Sequence, residues 1–394
     1  MKQCWRWFGP NDKIPLAQLH QAGVEGIVTA LHDIPPGEIW STENIRMRIE
    51  LLEADDFSWD VAESLPVSEA IKTQSSGYKD HLENYRASLS NLAAAGVRTV
   101  CYNFMPILDW TRTVLRSPQP HGGNAMHFSL LDFAVFDLHI LRRPSAPDDY
   151  NQALRERAAE RFADLSNQQK TMLQNTVIAG LPGANDSWTL SDVAERLATY
   201  DGIDRERLRR NLIDFLSEVA PHAETCGIRL CCHPDDPPFS LLGLPRVMSS
   251  TQDYVRVLDA VDVPASGATL CTGSLGVAEG FDPVGFVRQA GARIHFVHLR
   301  NTKRVPGPDP ARPDFYEAPH LEGDTDMVAT IRALSEEEAR RRSAGREDSE
   351  IPMRPDHGQE LLSDLETDSM PGYPLIGRMR GLAELRGIMA ACQP

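Results

Sequence analysis

The sequence predicts an α/β chain folded as a (β/α)8 TIM barrel with a long helical insertion after its fourth strand. Three observations lead there. Short β-rich runs alternate with amphipathic stretches along most of the chain. Four helix-to-strand junctions carry the same punctuation, a glycine at Gly23, Gly96, Gly227 or Gly291. No glycine-rich dinucleotide fingerprint follows the first run, which counts against the open doubly wound sheet that alternation also allows.

The first run, 4–8, alternates Trp5 and Trp7 with Arg6, so one of its faces is core; the sequence leaves open which face holds Arg6. Runs at 26–31, 59–64 and 99–104 follow. Before the last of these, 78–95 sets Leu82, Tyr85, Leu89 and Leu92 on one helical face and stops at Gly96. Glycine just past a helix accepts the left-handed conformation and lets the chain turn straight into a strand. Residues 105–205 open on Pro106, Pro118, Pro120 and Gly122-Gly123, then show helical patterns at 150–173 and 190–200. They read as an inserted, mainly helical lid or assembly segment within one domain spanning 1–394. A helix carrying Leu208, Leu212, Phe215 and Val219 comes next, and runs at 228–232, 268–271, 294–299 and 351–354 complete the eight strands. The proline-rich stretch 301–323 reads as a second long loop. Glu336-Glu337-Glu338 and Arg340-Arg341-Arg342 pair at i,i+4 and read as a solvated helix face.

Composition narrows the function. The 394 residues carry 40 basic and 56 acidic side chains, a net charge of −16, with 41% hydrophobic residues. So acidic a chain, without a basic tract, is a poor match for nucleic acid or anionic lipid. No apolar stretch reaches the roughly 20 residues that span a bilayer. Seven scattered cysteines without a Cys-x-x-Cys pair argue against a disulfide framework or zinc ribbon and for the cytoplasm.

Chemistry in such a barrel gathers at the carboxyl ends of its strands. The fifth strand runs into His233, the sixth ends in Cys271, the seventh in His298, and the eighth is followed by Asp356. Imidazole, thiolate, imidazole and carboxylate from four successive strands make a competent divalent metal site. His295, three residues before His298, faces the other side of the sheet. A nucleophilic role for Cys271, with His298 or His357 as base, is a competing use of the same residues.

Longer motifs sharpen the reading. The stretches Thr29-Ala30-Leu31-His32-Asp33-Ile34-Pro35, Cys101-Tyr102-Asn103-Phe104-Met105-Pro106 and Asp109-Trp110-Thr111-Arg112-Thr113 resemble the mannonate dehydratase family. So do His233-Pro234-Asp235-Asp236-Pro237-Pro238, Cys271-Thr272-Gly273-Ser274, and Arg354-Pro355-Asp356-His357-Gly358 with Pro371-Gly372-Tyr373. The resemblance implies a xylose-isomerase-like barrel that dehydrates D-mannonate to 2-keto-3-deoxy-D-gluconate in hexuronate (glucuronate) breakdown, using Mn2+ or Fe2+. It places the metal ligands on His233, Cys271, His298 and Asp356, and the acid–base pair on His357 and Tyr373. Beside these, Arg300 is the expected clamp for the substrate carboxylate, and Asn103, Asp235 and His320 the expected contacts to substrate hydroxyls. The expected partners are the sugar acid and further copies of the chain, as a homodimer or higher homo-oligomer. Competing readings are a metal-dependent sugar isomerase or epimerase on the same fold, a zinc hydrolase, and a sugar-acid sensor.

Overall fold

A computed structural model describes residues 1–108, 110–179 and 188–392. Its strands are β1 (Lys2–Arg6), β2 (Gly26–Thr29), β3 (Trp59–Glu63), β4 (Thr99–Tyr102), β5 (Val114–Pro118), β6 (Asn124–Phe128), β7 (Arg229–Cys232), β8 (Ser266–Cys271), β9 (Ile294–Leu299), β10 (Asn301–Val305), β11 (Asp314–Ala318) and β12 (Pro352–Pro355). Eight of them close a barrel in the order β1-β12-β9-β8-β7-β4-β3-β2, and every neighbouring pair is parallel. The (β/α)8 barrel expected from the alternation is therefore the fold, with strands β2 and β4 two residues shorter than the sequence runs.

Period-two alternation sorts the strand residues. Cys4, Val28, Val61, Cys101, Cys231 and Phe296 pack against one another as a single layer inside the barrel. Trp5, Ile27, Val100, Leu230, Leu270 and Val297 point outward into the core beneath the helices. Arg6 therefore faces inward, where it pairs with Glu63, and Trp5 and Trp7 face the helices. The helix Tyr78–Ala94 buries Leu82, Tyr85, Leu89 and Leu92, the stripe read from the sequence. Gly96 closes it at φ +89°. Gly291 departs from that pattern: its φ of −49° is right-handed, and its lack of a side chain instead admits Glu337, whose Oε2 would lie 3.1 Å from a Cβ there.

A second, four-stranded sheet in the order β10-β11-β6-β5 lies outside the barrel. Two of its strands come from the segment after β4, which also carries the helices Leu130–Val135, Gln152–Asp164, Asn167–Ile178 and Leu190–Ala198. β5, with its sequence Val-Leu-Arg-Ser-Pro, is exposed or half-buried throughout, so it shows no apolar alternation to read. The stretch 301–323 is a hairpin rather than a loop: β10 and β11 pair from Asn301 with Ala318 to Val305 with Asp314, and most of its prolines lie between them. The solvated-face reading of the Glu/Arg runs is also corrected. Glu337, Glu338 and Arg341 are buried, with Arg341 donating to the carbonyls of Gly291 and Ile294 and Glu338 accepting from the amino terminus. No helix among the described residues is long and apolar enough to cross a membrane.

His295 sits on β9 with its Nε2–H donated to the Pro264 carbonyl at 3.0 Å. Burial, with Arg229 and Arg341 nearby, pushes its pKa down to about 3. The unfolded chain therefore binds the extra proton first, and stability falls as pH drops from about 6.5, the unperturbed value, toward 3. At about pH 5 this one residue costs about 2 kcal/mol. His295→Gln keeps an N–H donor without the titration. Urea unfolding at about pH 7.5 and 5 is expected to show a loss about 2 kcal/mol smaller in the variant; equal losses would refute the assignment.

Candidate active site

One layer above the inner apolar residues, the same alternation sets a ring of chemistry. Arg6 follows Cys4 by two positions, Glu63 follows Val61, Asn103 follows Cys101, His233 follows Cys231 and His298 follows Phe296. Cys271 joins the ring because Thr269, two residues earlier, reaches inward to Cys101 at 3.4 Å. Register does the rest: Cys271 pairs with His298 across β8 and β9, and His298 with Arg354 across β9 and β12. One donor atom from each of His233, Cys271 and His298 lies within 4.8 Å of the others. Asp356 Oδ2 stands 3.9 Å from both Cys271 Sγ and His298 Nδ1. All four of the residues expected as ligands thus meet at one place.

The donors suit a cation. His233 Nδ1 lies 2.7 Å from the Pro234 carbonyl, which can only accept, so the proton is on Nδ1 and Nε2 carries a lone pair. Burial lowers the His233 pKa and keeps the ring neutral. His298 turns Nε2 toward Glu63 Oε1, 3.4 Å away, which favours the proton on that side. The free nitrogens, His233 Nε2 and His298 Nδ1, then face each other at 3.1 Å. Two lone pairs converging on a thiol and a carboxylate are an arrangement that a divalent metal stabilises, and Cys, His, His and Asp are a competent set for one.

His357 and Tyr373 meet beside this cluster. His357 Nδ1 is 3.2 Å from Glu317 Oε1 and so donates to it, while Tyr373 donates its hydroxyl proton to His357 Nε2 at 3.2 Å. Burial, with Asp356 nearby, raises the Tyr373 pKa and holds the phenol protonated. A small pocket brings these groups together, lined by His233, Asp356, His357 and Tyr373 with Glu63 and Asp236. Asn103, Trp110 and Arg354 complete the wall.

The substrate contacts expected beyond that pair are placed less uniformly. Asn103 lines the pocket. Asp235 points away from it, its Oδ2 accepting from the Met248 amide and the Ser249 hydroxyl at 2.8 and 2.7 Å, and the neighbouring Asp236 takes the pocket position. His320 lies behind His357, with Nε2 2.8 Å from the Leu299 carbonyl, in a separate cleft. Arg300 is buried with its donors engaged: Nε and Nη2 clamp Glu317 at 2.7 Å each, and Nη1 reaches Asp236 at 2.7 Å and Ser274 at 3.1 Å. Asp109 lies outside the described residues. Among the residues the sequence reading passed over, Arg112 bridges Asp236 and Glu317, and Arg354 clamps Glu63 at 2.9 and 2.7 Å. These ion pairs overcome the cost of burial and hold Glu63, Asp236 and Glu317 well below the usual carboxylate range. Glu63 was within reach of strand-end reasoning, since it closes β3.

A closed parallel barrel with imidazole, thiol and carboxylate groups converging at its carboxyl rim defines the class, a TIM-barrel enzyme with a candidate metal centre. Comparison with known proteins gives the family. The model for D-mannonate dehydratase (UxuA) matches residues 1–394. The chain is 54% identical over 391 residues to the mannonate dehydratase of Rhizobium meliloti (strain 1021), covering 99% of this chain and 97% of that one. It is 45% identical over 394 residues to that of Saccharophagus degradans (strain 2-40), covering 100% and 98%. The crystal structure of mannonate dehydratase from Streptococcus suis serotype 2 superposes with a TM-score of 0.76 at 30% identity, covering 100% of this chain and 93% of that one. A xylose isomerase-like TIM barrel protein from Mycobacterium smegmatis shares the fold alone, with a TM-score of 0.50 at 14% identity. The chain belongs to the D-mannonate dehydratase family.

Proposed function

We propose that this protein removes water from D-mannonate to give 2-keto-3-deoxy-D-gluconate, with Mn2+ or Fe2+ held by His233, Cys271, His298 and Asp356. The observation that carries this reading is the convergence of those four side chains at one place, beside a pocket that His233 and Asp356 line together with the His357–Tyr373 pair. The proton at C2 of an aldonate is weakly acidic because the neighbouring carboxylate is already negative. A divalent cation there neutralises that charge and stabilises the negative charge that develops when the proton leaves.

The chain's own groups do the rest. Glu317 fixes the His357 tautomer, so that Nε2 is free to take the C2 proton once substrate separates it from Tyr373. Tyr373, kept protonated by burial, is the acid that protonates the departing 3-hydroxyl. Loss of the C2 proton and of the C3 hydroxyl as water leaves the enol of the 2-keto acid, which tautomerises. Arg300 acts by positioning: held by Glu317 and Asp236, it fixes the two carboxylates against which His357 and the pocket wall are set. Asn103 and Asp236 are placed to hold substrate hydroxyls.

The proposal includes a place in hexuronate breakdown and a homo-oligomer in the cytoplasm. Free cysteines throughout the described residues support a reducing compartment, and Met172, 62% exposed on the segment after β4, supports that segment as an assembly element. The deciding experiment follows D-mannonate with metal-stripped protein, with and without added Mn2+. Metal-dependent product lighter by one water is the expected result. Product of unchanged mass would instead favour the isomerase reading, and none under reduced, Mn2+- or Fe2+-loaded conditions would refute the activity.

A further inference from the structure

The side of the site facing the metal donors holds buried polar atoms that have no hydrogen-bond partner among the described residues. The barrel order sets β7, β8 and β9, at whose ends three of the four donors lie, across from β1, β2 and β3. His357 and Tyr373 follow β12 on one flank, and Asn103 follows β4 on the other. In the facing sector Phe8, just past β1, packs edge-on against Tyr373 with ring centres 4.9 Å apart and lies 5.8 Å from the His32 ring, just past β2. Arg6 completes the group, its Cζ 4.9 Å from the Phe8 ring. Both ring nitrogens of His32 are shielded from water, and among the described residues neither has a hydrogen-bond partner; Nε and Nη1 of Arg6 share that condition. Arg6 Nη1 lies 3.1 Å from Glu63 Oε1 as an ion pair, so the unpartnered imidazole of His32 is the plainer case. Burying such groups unpaired costs roughly 1–3 kcal/mol each, which a bound ligand can offset.

We infer that His32 is a substrate-binding residue that holds the far hydroxyls of the sugar acid and sets the preference for a six-carbon chain. The inference rests on the dehydratase reading, which fixes the near end: C1 to C3 must lie between the metal donors and the His357–Tyr373 pair. The remaining carbons then run away from β7, β8 and β9, toward the sector where His32 and Arg6 wait. A neutral imidazole offers one donor and one acceptor, the match for a pair of hydroxyls rather than for a second carboxylate. Burial, with Arg6 and Arg48 nearby, pushes the His32 pKa down to about 3 and keeps it neutral.

The test compares two acids: D-mannonate, and a four-carbon aldonate of the same C2 and C3 configuration that lacks the tail. Their binding is measured by titration calorimetry on Mn2+-loaded protein in a His357→Ala background, so that turnover does not interfere. His32→Phe is expected to weaken D-mannonate binding roughly 10- to 100-fold and leave the four-carbon acid unchanged. His32→Asn, which retains a donor and an acceptor, is expected to recover most of the loss, and thermal unfolding checks that both variants fold. Equal weakening of the two acids, or none, would overturn the inference, as would a failure of D-mannonate to bind the His357→Ala parent. If D-mannonate binds but the unsubstituted enzyme releases no water, the dehydratase reading fails while the ratio of the two affinities still decides the role of His32.

Discussion

Glu317→Gln is expected to lower the unfolding free energy by about 3–5 kcal/mol, the cost of breaking a buried ion network by removing one partner. Glu317 comes from β11, outside the barrel, and enters the site fully buried. Its Oε1 accepts from Arg112 at 2.8 Å and from Arg300 at 2.7 Å, its Oε2 accepts from Arg300 Nε at 2.7 Å, and His357 leans on it at 3.2 Å. Without that charge, the two buried guanidiniums share the carboxylate of Asp236, with Asp356 3.7 Å from Arg300. Burial works against the Glu317 charge, but Arg300, His357 and Arg112 together hold its pKa well below the usual carboxylate range. The sign follows from that direction: the stabilisation is fully present above about pH 4, the unfolded value, and fades only as pH falls toward the low folded one. At neutral pH the variant therefore shows the whole loss. Urea unfolding measures it, and kcat is expected to fall with it because His357 loses the partner that fixes its tautomer. A variant within about 1 kcal/mol of the parent would show that Asp236 and Asp356 suffice for both arginines.

How much of this was legible in the sequence depends on which strand a residue rides. His233, Cys271, His298 and Asp356 could be read because each lies at or just past the end of a barrel strand, where period two fixes the face. The period also carries Arg6 and Glu63 inward, yet nothing in the local sequence of β1 distinguishes an inward arginine from an outward one. Asp235 and Asp236 show the limit more sharply. Past the strand end the alternation lapses, and of two adjacent carboxylates the turn at Met248 and Ser249 takes the first. Arg300 lies one residue past β9, but position does not name partners. Glu317 and Asp236, which engage it, arrive from a hairpin arm flanked by prolines and from a turn. The second sheet escaped for a related reason: β5 and β6 are short, and the pairing of β6 with β11 spans a sequence separation that no local pattern records.

Removing the metal, or His298, is expected to have the largest effect on activity. His298 Nδ1 faces His233 Nε2 at 3.1 Å and Asp356 Oδ2 at 3.9 Å, so His298→Ala takes out a donor that faces both. If the four side chains hold the ion, the variant loses bound Mn2+, and turnover falls about 10³-fold or more, since the cation supplies several kcal/mol of transition-state stabilisation. A second readout does not depend on turnover. Metal that binds only the folded chain stabilises it by about 2.7 kcal/mol at a concentration 100 times the dissociation constant. Chelation should therefore lower the melting temperature of the parent and leave that of His298→Ala unmoved. His298 is an apt position for this test because it sits at the centre of the donors, flanked in register by Cys271 on β8 and by Arg354 on β12. A His298→Ala protein that retains bound Mn2+ and the parent rate would place the metal elsewhere.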